Sequence, residues 1–217
     1  MKFKDLKNKI MKDYNFRTYW FSFFSFLASI AFAIYNAFLG IYYQSLFNGS
    51  IAVYYLLLII VRMIIILFEL HWTKLDSDKI ENKRFGLFIG ACPLLILINI
   101  ALIVPISLMV LNQKNVLMGL IPAIAMAAYT TFKITMAIIN YKKTRKNDHL
   151  SIRALRIINM IDALVSILSL QNTLIVVNGG SQSEDMMILS GVSSLVIILS
   201  ILIIIIISLI RALKFRK

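Results

Sequence analysis

Four ionisable side chains interrupt stretches that are otherwise apolar. Arg62 sits in LLLIIVRMIII and Asp162 in RIINMIDALVSIL; Lys133 lies in the later half of a third stretch, and Glu69 near the end of the one that holds Arg62. A charge at the centre of a hydrocarbon layer costs about 2.5–3.5 kcal/mol on insertion scales, and where such charges occur they mark ion pairs, proton relays or substrate paths. Arg62 is about eleven residues into its stretch and Asp162 about ten into its own, so at 1.5 Å per helical residue both reach a depth of about 15 Å. The two are expected to face each other, which lowers the cost of both charges. Two roles follow: an inert salt bridge that fixes helix register, or a gated pair within a substrate or proton path. Asn159, three residues before Asp162 on the same helical face, and Lys133 are expected to extend the site. Ser166 and Ser169 carry that face onward, with Gln171 and Asn172 beyond them, and Asn36 and Asn99 are candidates to join from other stretches. The alternative for each is an interhelical hydrogen bond, worth about 0.6 kcal/mol in membranes.

Other chemistry has little to stand on. There is no Gly-rich phosphate loop, no H-E-x-x-H and no Cys-x-x-Cys. His71 and His149 fall at the edges of apolar stretches, and the lone Cys92 lies inside one. No catalytic residue, cofactor or metal ligand set is expected, and the chain is not read as an enzyme.

The elements that must position these residues are set by hydropathy. The 217 residues are 60% hydrophobic, with a mean hydropathy of +0.84. Runs such as LVIILSILIIIIISLI cannot all hide in one water-soluble core, and a helix of about 20 such residues crosses the hydrocarbon layer. Strand-like alternation is absent, which leaves an all-α integral membrane protein. Six transmembrane helices are expected at about 18–43, 51–72, 86–110, 116–140, 152–177 and 188–211, within a transmembrane domain of 17–212. A basic amphipathic arm, 1–16, precedes it and a basic tail, 213–217, follows. The first run continues to Tyr43, beyond the length of a signal core, so it is expected to be retained.

The net charge of +13 would point to nucleic acid in a soluble protein, but its distribution gives another cause. Lysines and arginines crowd the N-terminal arm, the loop with Lys74, Lys79, Lys83 and Arg84, the loop with Lys142, Lys143, Arg145 and Lys146, and the tail. The opposite loops hold only Lys114 and the acidic Glu184 and Asp185. The positive-inside rule then places the N and C termini in the cytoplasm. The excess charge is explained by the lipid bilayer, with anionic lipid at the cytoplasmic face, and no nucleic acid is expected. A multi-pass protein of the cytoplasmic membrane follows, and the Lys-, Ile- and Asn-rich make-up fits a bacterial source.

Gly86 and Gly90 open the third span four residues apart, a spacing that lets two helices approach closely, within the bundle or between protomers. Ala123, Ala125, Ala127 and Ala128 carry a similar signal, and Pro105 and Pro122 are expected to kink spans three and four. A homodimer is the expected assembly.

The order of these features resembles the transmembrane domain of cation diffusion facilitators, which are usually dimeric, proton-coupled exporters of divalent metals. The resemblance rests on six spans with both ends inside, Gly49-Ser50-Ile51-Ala52 before span two, KRFG opening span three, and Asp162-Ala163-Leu164-Val165-Ser166 in span five. It implies metal-ligand positions at Ile59, Met63, Ile158 and Asp162. Only Asp162 is a carboxylate, and a tetrahedral Zn²⁺ site cannot be built from one Asp and apolar partners. The resemblance therefore implies a relative whose metal ligands are mostly lost, with the Arg62 guanidinium in place of the metal charge. The sequence leads to a small cation-transporter-like protein with a central Arg62–Asp162 site, or to a non-transporting membrane subunit, assembly factor or immunity protein on the same fold.

Overall fold

The computed structural model describes residues 14–72, 77–111, 120–144, 150–177 and 184–215, and among them every regular element is helical. The helices are α1 (Tyr14–Tyr42), α2 (Leu46–Trp72), α3 (Ser77–Ala101), α4 (Ile103–Leu111), α5 (Leu120–Thr144), α6 (Leu150–Val177) and α7 (Glu184–Phe215). Six helical stretches are long and apolar enough to cross a membrane, with α3 and α4 forming one of them. They fit a multi-pass membrane protein. Most of the basic arm, the loops that hold Lys114, His149, Gly179 and Gly180, and the last residues of the tail lie outside the described residues.

Several boundaries differ from expectation for local reasons. The third helix begins at Ser77 rather than near Gly86, because the polar stretch before Phe85 continues the helix beyond the apolar run. The same span breaks at Leu102. A proline ring at Pro105 clashes with the carbonyl four residues earlier, at Ala101, and removes an amide donor, so the break falls where Pro105 requires it. Pro122 produces no break, since it occupies the first described turn of α5, where a missing N–H leaves no helical bond unmade. Pro93 lies in the interior of α3, a position the sequence reading does not single out.

Only Tyr43, Gln44 and Ser45 link α1 to α2, whereas hydropathy alone places the next span's start at residue 51. The Ser45 amide donates to the Gly40 carbonyl (3.0 Å) and the Gln44 amide to the Ile41 carbonyl (3.4 Å), a Schellman end with Gln44 in the left-handed region at φ 51°. Ser45 then caps α2, its hydroxyl accepting from the Asn48 amide at 3.4 Å. A Cβ on Gly40 would stand 2.9 Å from the Gly49 nitrogen, so the hairpin's close approach depends on Gly40, which packs against the Gly49 backbone. A Cβ on Gly86 or Gly90 would meet nothing within 4 Å, and both residues face outward, so they do not serve packing within the chain.

Buried positions recur with alternating steps of three and four. The seam of α1 runs Ser25, Ser29, Phe32, Asn36, Leu39; that of α2 runs Asn48, Ile51, Tyr55, Leu58, Arg62, Ile65, Glu69. In α5 it runs Met126, Thr130, Lys133, Ala137, Asn140, and in α6 Ser151, Leu155, Ile158, Asp162, Val165, Ser169, Asn172. This 3.5-residue repeat keeps one face of each helix against its neighbours along the whole span. The helices α1, α2, α5 and α6 pack around these seams, while α3, α4 and α7 cover the far side of α2 and α6.

Candidate functional site

The four seams bring Arg62, Lys133, Asn159 and Asp162 together, with Ser25 and Ser29 from α1 and Tyr129 from α5. Arg62, Lys133 and Asp162 are 1–2% exposed, and Asn159 is 5% exposed. Asp162 is the hub. Its Oδ2 accepts from the Lys133 ammonium (2.5 Å), the Ser29 hydroxyl (2.7 Å) and, at 3.5 Å, Nη2 of Arg62. Its Oδ1 accepts from the Tyr129 hydroxyl, at 3.3 Å. The Tyr55 hydroxyl donates to the Asp162 main-chain carbonyl at 3.3 Å.

Arg62 and Asp162 meet as expected, but the shorter ion pair belongs to Lys133. The main partner of Arg62 is Asn159, whose Oδ1 accepts from Nη2 at 2.7 Å and from the Ser25 hydroxyl at 3.1 Å; Nη1 reaches the Ser29 hydroxyl at 3.3 Å. Lys133 also donates to the Ser29 hydroxyl (2.7 Å) and to the Ser25 carbonyl (2.9 Å), with the Ser25 hydroxyl at 3.3 Å. Its nitrogen stands 5.4 Å from the centre of the Tyr129 ring, within cation–π range. That ring is stacked on Phe32 at 3.7 Å. Two basic side chains and one acidic side chain are therefore buried together.

Ser25, Ser29, Tyr55 and Tyr129 join the site without being singled out by charge or polarity in the sequence. A signal for the serines exists in the sequence: they stand four apart, and Asn36 continues their face at a seven-residue step from Ser29. The two tyrosines have no such signal, because an aromatic ring in an apolar span reads equally well as core or lipid contact.

Glu69 belongs to a separate cluster, two helical turns further along α2. Arg84 of α3 grips it through both Nε (3.1 Å) and Nη2, and the Ser151 hydroxyl of α6 donates to it at 2.6 Å. The buried side chains of Ile65, Leu155 and Ile158 lie at the seam levels between the two clusters. In the other direction the seams are polar and incompletely paired. The Asn36 Oδ1, the Tyr54 hydroxyl, the Ser169 hydroxyl and both amide atoms of Asn48 are buried without hydrogen-bond partners among the described residues. Ser166 donates to the Ala163 carbonyl at 2.7 Å and Gln171 to the Ser193 hydroxyl at 2.5 Å, so these two serve local and α6–α7 contacts. Asn99 reaches the Ile198 carbonyl at 3.3 Å, away from the cluster, and Asn172 is buried further along α6.

Among the described residues no group of three or more His, Cys, Asp and Glu side chains is placed to hold a metal ion. Of the ligand positions implied by the resemblance, Ile158 and Asp162 are buried but Met63 is exposed, a rotation of one residue from the inward-facing Arg62. No protein-family model, curated protein or solved structure matches this chain.

Proposed function

We propose that the protein is a small cation transporter of a bacterial cytoplasmic membrane, in which a cation exchanges with the ion pair at Asp162. The reading is carried by one observation: Lys133 and Arg62 converge on a single carboxylate oxygen in the middle of the bundle. A buried cluster with one uncompensated positive charge is poorly suited to stability alone, since apolar residues of similar volume do as well or better. It suits a site whose occupant changes. The unpartnered polar atoms of Asn36, Tyr54 and Ser169 lie about 10 Å from the cluster by helical rise. They offer hydrogen bonds to water or a passing ion, whereas the Glu69–Arg84–Ser151 clamp closes the opposite, basic end. The basic loops support cytoplasmic termini held against anionic lipid. The outward-facing Gly86 and Gly90 support a homodimer through α3. The resemblance to cation diffusion facilitators supports a cation as cargo, with an arginine where that family holds metal.

The test is cation flux into proteoliposomes under an imposed pH gradient, across monovalent and divalent ions, for the wild type and a folded Asp162→Asn variant. Flux lost with Asp162 is the expected result. Absence of flux for every cation would sink the transport reading and leave the second one: a non-transporting subunit, assembly factor or immunity protein clamped by the cluster. That alternative is favoured by the full set of acceptors around Lys133.

A further inference from the structure

We infer that the acceptors now gathered around the Lys133 nitrogen form the cargo seat, that the cargo is a primary ammonium ion, and that Lys133 is its tethered stand-in. The inference rests on the transport reading above and names the cargo class. The geometry is that of a receptor for R–NH₃⁺. Such a group has three N–H bonds and no acceptor, and three oxygens lie within 2.9 Å of the nitrogen: Asp162 Oδ2, the Ser29 hydroxyl and the Ser25 carbonyl. The Tyr129 face closes a further side at 5.4 Å, and an aromatic face attracts organic cations once they are desolvated. Each acceptor belongs to an element other than the lysine's own helix, so the seat stays formed by α1 and α6 if the lysine leaves. A divalent metal is a poor fit: Zn²⁺ asks for several thiolate, imidazole or carboxylate ligands and Ca²⁺ for six to eight oxygens, whereas the seat supplies one carboxylate oxygen, one hydroxyl and one carbonyl. The guanidinium of Arg62 is held differently, with Asn159 as its near partner at 2.7 Å and Asp162 only at 3.5 Å.

The exchange balances in charge and protons. An incoming R–NH₃⁺ takes the three oxygens; Lys133 gives up one proton and withdraws as a neutral amine. One cation has entered, one proton has left, and Arg62, Asp162 and the cargo carry the same total charge as Arg62, Asp162 and Lys133 did before. Reversal restores the proton to Lys133 as the cargo departs. The cycle is a one-for-one exchange of an ammonium ion for a proton.

Two measurements test this on the full chain. Lightly buffered wild-type protein in detergent is mixed with ethylammonium chloride, and proton release is followed with a pH indicator. The expected result is one proton per ammonium bound, with no release from Asp162→Asn. Tetramethylammonium, which lacks N–H donors, should act about tenfold more weakly or worse, as the loss of even one charge-assisted hydrogen bond requires. In parallel, n-butylammonium should raise the unfolding midpoint of Lys133→Ala, while tetramethylammonium and sodium should not. Rescue of that variant without any response from the wild type would overturn the inference, because the seat would then belong to the lysine alone. Equal responses to ethylammonium and tetramethylammonium would overturn it too. If Lys133→Ala does not fold, wild-type proton release decides by itself. Asp162-dependent flux of sodium or magnesium without an ammonium response would reject the ammonium cargo and keep the transporter; no response to any cation in either assay would remove both.

Discussion

Replacing Asp162 by asparagine tests the charge arithmetic of the bundle most directly. Among the described residues the carboxylate is the only anion facing the two cations, and all three groups are nearly inaccessible, with side-chain exposures of 1–3%, so solvent screening is small. Removing one partner of a buried pair costs about 3–5 kcal/mol because a charge is left unpaired; here two cations are left, and the upper end of that range is expected. Lys133→Met breaks the same 2.5 Å contact but with the opposite consequence for charge. Arg62 and Asp162 then balance, a methionine fills the lysine's volume, and the cost should be about 0–2 kcal/mol, in line with apolar replacement of buried ions. The double variant keeps one stranded cation, Arg62, and should be more stable than the sum of the single effects by roughly 1–3 kcal/mol. Reversible unfolding in mixed detergent–lipid micelles, followed by circular dichroism, measures all four corners. If Lys133→Met proves as damaging as Asp162→Asn, or the double variant is additive, the buried-charge argument is refuted.

Further expectations concern the frame around the site. Gly40→Ala should cost about 1–3 kcal/mol, since its Cβ would press on the Gly49 backbone at 2.9–3.0 Å; Gly49→Ala has open space and should be neutral or stabilising through helix propensity, as read by the same unfolding assay. Glu69→Gln should cost about 1–2 kcal/mol, less than a fully buried pair because the Arg84 side chain is 23% exposed, and it should raise the reactivity of a cysteine placed at Ile65 toward a water-soluble thiol reagent added from the basic side. Gly86→Leu with Gly90→Leu should leave monomer unfolding unchanged and abolish chemical cross-linking between copies; retained cross-linking would exclude α3 as the dimer face. Reporter fusions after Thr144 and after Phe215 should both report the cytoplasm, and an external signal from either would overturn the charge-based orientation.

The apolar runs sufficed to give the number of helical stretches long and apolar enough to cross a membrane, because length and composition decide that capacity. They also flagged Arg62, Asp162, Lys133 and Glu69, since a charge among isoleucines stands out whatever it touches. Helix ends were less legible: the polar Ser45 stands at a helix start because its hydroxyl caps the Asn48 amide, so capping and not hydropathy sets that boundary. What only the tertiary structure decided is who pairs with whom. Depth along a span is a one-dimensional quantity, and it brought Arg62 level with Asp162. Rotation about each helix axis and the choice of neighbouring helix are set by packing of the 3.5-residue seams. That packing gave Asp162 to Lys133, gave Arg62 to Asn159, drew in Ser25, Ser29 and Tyr129, and sent Glu69 to Arg84. It also turned Gly86 and Gly90 outward and put the close approach at Gly40, against the backbone of Gly49. Spacing alone cannot tell these cases apart, because a glycine pair or a serine pair four residues apart reads the same whichever side of its helix meets a neighbour.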